Sequence, residues 1–217
     1  MNKKRQKRHH KIQFKKTKML DRIAMFATRT VSNYFWIVVD ILSHDNEKIA
    51  KRYEQSIGKE YKNECATLNV KKGHKIIHIG CGSYPLTEMT LANLFDIKIT
   101  GIDKNKKAVQ RAHDVVIDKK FEDKITIEQG NGAEYPVQDF DMIIVSSCAL
   151  PKTEILENIF TTAKKESTII IRDLETSTDE FLEYLSQFHD ITIEKRIQHP
   201  VPFLMPIGWS AFHLKKK

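Results

Sequence analysis

The residues best equipped for chemistry lie between Ile76 and Asp103. The run Ile76-Ile77-His78-Ile79-Gly80-Cys81-Gly82-Ser83-Tyr84-Pro85-Leu86-Thr87 precedes Ile99-Thr100-Gly101-Ile102-Asp103. Two glycines one residue apart let the main chain bend sharply and approach a ligand that side chains would hold off. Asp103 follows Gly80 by 23 residues, near the offset of about 20 at which an acid meets a ribose hydroxyl pair. The pattern predicts a nucleoside-binding βαβ unit in preference to an ordinary strand-to-helix turn.

Two nucleosides compete for such a unit, a dinucleotide and S-adenosylmethionine. A dinucleotide fingerprint wants a third glycine where this chain has Pro85, for close packing of helix on strand. Proline suits a first helical turn but lacks the N–H that a pyrophosphate would use. That favours the ligand without phosphates.

These residues need a scaffold, and the rhythm of the chain from Lys71 onward supplies one. Strands are predicted at Lys75–Ile79, Ile97–Asp103, Ile125–Glu128, Asp141–Ser147 and Ser167–Asp173. Helices are predicted between them at Pro85–Phe95, Lys104–Asp118 and Lys152–Lys164. The continuous apolar run from Asp141 reads as a buried parallel strand. After a helix at Thr178–Phe188, strands at Ile191–Ile197 and Trp209–Leu214 are separated by a loop holding Pro200, Pro202 and Pro206. With no room for a crossover helix, that pair must be antiparallel. The expected fold is α/β, a Rossmann-like doubly wound sheet of seven strands with an antiparallel C-terminal pair, preceded by a helical extension.

In that extension, Ile23, Ala27, Val31, Tyr34, Val38 and Ile41 recur at helical spacing within 21–42. Asp45 could cap a second helix, along which Ile49, Tyr53, Ile57, Tyr61 and Cys65 recur every fourth residue. These helices are expected to pack on the body and roof its ligand. The divisions read as a disordered basic tail at 1–18, a helical extension at 19–70 and the cofactor-binding domain at 71–217.

Charge is divided unevenly. The 217 residues carry 36 Lys or Arg against 28 Asp or Glu, a net +8. Nine of those cations fall in residues 1–18 and three at Lys215–Lys217, so the body between is mildly acidic. The three cysteines form no CxxC or pairable framework, which with the lack of an apolar leader points to the cytoplasm. No stretch reaches the length of a transmembrane segment, and no cluster has metal-ligand spacing.

The glycine loop, Asp103, Asn131-Gly132-Ala133-Glu134 and the Asp141 strand resemble class I S-adenosylmethionine-dependent methyltransferases over residues 71–217. Five parallel strands closed by an antiparallel pair are that superfamily's arrangement. Within it, Gly80-x-Gly82-x-x-Pro85-Leu86-Thr87 and Ala149-Leu150-Pro151-Lys152 resemble the archaeal nicotianamine synthase branch, which transfers the aminocarboxypropyl group of the same cofactor. The resemblance implies S-adenosylmethionine as cofactor. Gly80, Cys81, Gly82, Ser83, Tyr84 and Pro85 would line its methionine end, with the following helix start facing its carboxylate. Asp103 would hold the ribose, with Lys104 beside it. Asn131, Gly132 and Ala133 would hold the adenine edge, unless they form a plain turn. Ser146 and Ser147 would line the transfer centre or pack under a helix.

No catalytic base stands out. Tyr53 and Glu54 could reach over the site, although core packing and helix-surface charge also explain them. Asp173 and His199 are placed for acceptor contacts. His78, inside a strand, reads as a core histidine. The functional expectation is an enzyme, a methyltransferase acting on a small-molecule or protein acceptor. One alternative is aminocarboxypropyl transfer. Another is RNA modification, with the basic tail contacting nucleic acid. The oligomeric state is not legible.

Overall fold

The computed structural model describes residues 19–199 and 208–217. The expectations for the basic tail and most of the proline loop lie outside the described residues. Seven strands form one sheet: β1 (Lys75–Ile79), β2 (Lys98–Asp103), β3 (Ile125–Gln129), β4 (Met142–Val145), β5 (Thr168–Leu174), β6 (Ile191–His199) and β7 (Trp209–Lys216). Their order is β3-β2-β1-β4-β5-β7-β6. The first five run parallel, and β7 runs antiparallel between β5 and β6. The Rossmann-like architecture is therefore present, with its antiparallel C-terminal pair.

Alternation along each strand builds two cores. Ile76, Ile144 and Ile170 point to one face, while Ile77, Ile143, Val145, Ile169 and Ile171 point to the other. The first face is covered by α4 (Leu86–Leu94) and α5 (Lys106–Asp118), the second by α6 (Lys152–Thr162) and α7 (Thr178–Leu185). Helices on both faces are what a parallel sheet with apolar strands requires. The chain reverses its direction of travel between β1 and β4, and in such sheets ligands bind at that switch point, beyond the carboxyl ends of the strands.

The N-terminal helices differ from expectation in two ways. The first, α1, spans Met19–Asp45, but only the end of its predicted apolar stripe docks: Val31 is 65% and Tyr34 70% exposed, while Val38 is half-buried and Ile41 lines the cavity described below. Ser32, Asn33 and Ser43 are buried in place of Val31 and Tyr34. The cap of the next helix is Asn46, not Asp45, its Oδ1 accepting from the N–H of Lys48 and Ile49. Asp45 closes α1.

Beyond Asn46, α2 (Glu47–Tyr53) and α3 (Lys59–Cys65) are joined by a π turn over Glu54–Gly58. A stripe repeating every fourth residue drifts around a helix of 3.6 residues per turn. The wider turn absorbs part of that drift, so Ile57 and Cys65 are both buried against the sheet domain.

Candidate functional site

A cavity of about 260 Å³ opens at the switch point. Its floor is the β1–α4 loop and the end of β4. Gly80 and Gly82 adopt φ of +86° and +70°, a region that side chains disfavour. A Cβ on Gly80 would lie 3.0 Å from Ala149 and 3.2 Å from the Ser146 Cβ. Close approach between the two loops thus requires glycine here.

Asp103 closes β2 at the cavity edge. Its carboxylate accepts from the Gly82 N–H at 3.1 Å and the Asn105 N–H at 2.8 Å. It thereby ties the glycine loop to the start of α5 and keeps lone pairs for further donors. Gly130, Asn131 and Gly132 line the far wall, and Asn158 fixes their turn through the carbonyls of Gly132 and Tyr135. Lys104 spans the rim, donating to the Leu150 carbonyl at 2.7 Å.

Of the residues singled out from sequence, Gly80–Tyr84, Asp103, Lys104, Asn131, Gly132, Ser146, Ser147 and Tyr53 line this cavity. Pro85, Ala133, Glu54, Asp173 and His199 are not among its lining residues. Glu54 accepts from the Tyr84 hydroxyl outside it, and Asp173 accepts from the Leu174 N–H. The phenol of Tyr53 is pushed well above its ordinary range by burial, which keeps it protonated and unfit as a base.

His199 is held in a buried network instead of facing an acceptor. Its ring nitrogens sit 3.3 Å from Glu60 and 3.1 Å from Glu64, and its ring stacks on Trp209. Glu64 also takes two nitrogens of Arg172, at 2.9 and 3.2 Å. Arg172 donates further to Thr87, and its guanidinium lies 3.8 Å from the Tyr61 ring centre. This network joins α3, α4, β5 and β6, and so fastens the N-terminal helices over the sheet. Trp36, Tyr53 and Tyr61 then form an aromatic roof on the cavity.

Asp40 is the residue sequence reasoning missed at the loop itself. From α1 it accepts from the N–H of Ser83 and, at 3.0 Å, of Tyr84. The helix start expected to face a cofactor carboxylate therefore already carries one from this chain. Burial raises its carboxyl to about 7, against the lowering by those two N–H groups and with Asp103 adding repulsion. The native state consequently holds a proton that the unfolded chain has released between its ordinary 3.8 and about 7. Stability must fall as pH rises through that window, by up to about 1.4 kcal/mol per pH unit. Asp40→Asn is expected to remove this slope. Thermal melts from pH 4 to 8 should show wild type losing ground to the variant up to about pH 7 and holding level above it. A pH-independent difference would contradict the assignment.

Among the described residues no cluster of side chains could hold a metal ion, and no helix is long and apolar enough to cross a membrane. Strand order, switch-point cavity, glycine loop and the carboxylate closing β2 together define the Rossmann-like methyltransferase fold. The chain belongs to the methyltransferase domain family, whose model matches residues 70–202.

A curated relative, the 27-O-demethylrifamycin SV methyltransferase of Amycolatopsis mediterranei, is 33% identical over 79 residues. That match takes in 35% of this chain and only 28% of the relative's length. A mutant of MtNAS in complex with S-adenosylmethionine superposes with a TM-score of 0.72 at 15% identity, over 92% of this chain and 80% of that one. A methyltransferase from Thiobacillus denitrificans in complex with S-adenosyl-L-homocysteine gives 0.57 at 14% identity, over 73% and 91% respectively. Both likenesses are of fold.

S-adenosylmethionine is the cofactor of this family, and the residues present fit it. The positive-φ glycines admit close main-chain approach. Two carboxylates, Asp40 and Asp103, flank Gly82, which suits a ligand bearing both an ammonium and a sulfonium.

Proposed function

We propose that the chain is an S-adenosylmethionine-dependent methyltransferase acting on a small-molecule acceptor. The observation that carries this reading is the roofed cavity at the switch point. The glycine loop, Asp103 and the Asn131 turn would hold the methionine, ribose and adenine parts. The end of β4 and the aromatic roof would face the acceptor. A lid of Trp36, Tyr53 and Tyr61 leaves room for a compact molecule and excludes water from the transfer centre. On this reading residues 19–70 act as the roof and 71–217 as the cofactor domain. A protein acceptor would have to present one extended side chain beneath that lid.

A second reading is favoured by one observation. The fold likeness to MtNAS extends over the N-terminal helices, covering 92% of this chain against 73% for the methyltransferase of Thiobacillus denitrificans. It agrees with the Pro85-Leu86-Thr87 resemblance to the nicotianamine synthase branch and would make aminocarboxypropyl the group transferred. The coproduct separates the two. Purified chain incubated with labelled S-adenosylmethionine and a panel of hydroxyl and amine acceptors is expected to release S-adenosylhomocysteine. Release of methylthioadenosine would establish the second reading and overturn the first.

A further inference from the structure

A buried chain of polar side chains runs from the cavity into the core. Ser146 Oγ, at the end of β4 and against Gly80, lies 3.0 Å from His78 Nε2. His78 Nδ1, inside β1, lies 2.7 Å from Glu88 Oε1 on α4. The side chains of His78 and Glu88 are 3% and 0% exposed. Among the described residues no lysine or arginine pairs with Glu88, and its Oε2 has no hydrogen-bond partner. A carboxylate in that position is costly unless something neutralises it. Hydroxyl, imidazole and carboxylate are strung at the distances that proton transfer uses, with the hydroxyl end at the cavity.

We propose that Glu88, His78 and Ser146 form a proton relay that drains the acceptor during transfer, an inference that rests on the transferase reading above. When bound, S-adenosylmethionine supplies an electrophilic carbon on a sulfonium, and transfer breaks the C–S bond with its electron pair left on sulfur. A lone pair of the acceptor forms the new bond to that carbon. The acceptor's proton passes to Ser146 Oγ, the Ser146 proton to His78 Nε2, and the Nδ1 proton to Glu88. The site loses the sulfonium's positive charge as Glu88 loses its negative one, so no net charge is left buried. Such a relay selects acceptors that must shed a proton as they react. Hydroxyls and neutral primary or secondary amines belong to that class; thiolates and carboxylates do not. Ser146 touches the reacting groups, while His78 and Glu88 act through it.

The other ionisable groups around the relay are Cys81 in the glycine loop, Asp103 at the end of β2, Asp40 from α1, and Lys152 from α6. Lys152 donates to the Ser146 carbonyl and burial lowers its ammonium. None of them bridges Ser146 to His78.

The test is nitrogen-15 NMR of the histidine-labelled full chain, bound in turn to S-adenosylmethionine and S-adenosylhomocysteine. His78 is assigned by its loss in His78→Asn. The relay requires a bare Nε2 beside the sulfonium compound and a protonated Nε2 beside the thioether. Glu88→Gln should bind both ligands yet keep Nε2 bare in each, whereas Glu183→Gln, an exposed carboxylate on α7 away from the cavity, should preserve the switch. If both ligands bind wild type and Nε2 is the same in each, the relay is wrong and the transferase reading stands. A switch that survives in Glu88→Gln, or vanishes in Glu183→Gln, also rejects the relay. If neither ligand binds, the transferase reading fails and the relay with it.

Discussion

Glu64→Ala is expected to lower the stability of the chain by about 3–5 kcal/mol, because it strands the Arg172 guanidinium in the core. The pair is 0% and 1% exposed, with Arg172 held also by Thr87 and the face of Tyr61. Denaturant unfolding measures the loss, and a change under about 1 kcal/mol would mean that water or another acceptor reaches Arg172. The double variant Glu64→Ala with Arg172→Met should recover much of the deficit, since an apolar pair no longer needs a counter-charge.

The same carboxyl links stability to acid. Burial alone would raise Glu64, but Arg172 and His199 outweigh it and hold the group at about 2, below its ordinary 4.5. A depressed acid stabilises the fold above the unfolded value and loses that contribution as pH falls through the folded one. The expected loss is about 3 kcal/mol between pH 5 and pH 2. It should be missing from the double variant.

Asp103→Ala is expected to weaken binding of S-adenosylmethionine by about 30- to 1000-fold, or about 2–4 kcal/mol. Two effects combine in that figure. On the proposed reading, the ribose hydroxyls lose a charged acceptor. The glycine loop also loses its tie, since the same carboxylate holds the Gly82 N–H and the Asn105 N–H. Asp103→Asn keeps one acceptor oxygen and should fall between the two. Calorimetry with S-adenosylmethionine, S-adenosylhomocysteine, methylthioadenosine and NAD measures all of this. The first three should weaken together, because each carries the ribose. Affinity for the sulfonium compound within threefold of wild type would remove Asp103 from the site. Preference for NAD would remove the cofactor assignment.

These effects share an electrostatic logic. The cavity places Asp40, Asp103 and the buried Glu88 around one glycine loop. Carboxylates desolvated together are each costly, and a cationic ligand relieves that cost. Of the two arginines lining the cavity, Arg111 and Arg172, the latter is already committed to Glu64. The arrangement therefore favours a cofactor that arrives positively charged and leaves neutral.

Much of the fold is written locally in the sequence. Apolar runs such as Ile76–Ile79 and Met142–Val145 have no other stable place than a doubly covered parallel sheet. The proline loop leaves too little chain for a crossover, which makes the last strand pair antiparallel. Gly80, Gly82 and Asp103 are legible as a sharp glycine loop and a strand-end acid, because the positive φ and the end of β2 are set by nearby chain. The N-terminal helices were legible in extent but not in orientation. Exposed Val31 and Tyr34 sit on the stripe that periodicity selects, yet α1 docks through Ser32, Asn33, Asp40 and Ser43. It does so because the loop beneath it offers unpaired N–H groups, and those are satisfied by a carboxylate, not by an apolar face. Only the tertiary structure decided Asp40 on the Ser83 and Tyr84 amides, Arg172 on Glu64, and His78 between Glu88 and Ser146. Those partners stand up to 108 residues apart, and no local spacing encodes which polar side chains will meet once the sheet brings strand ends and helices together.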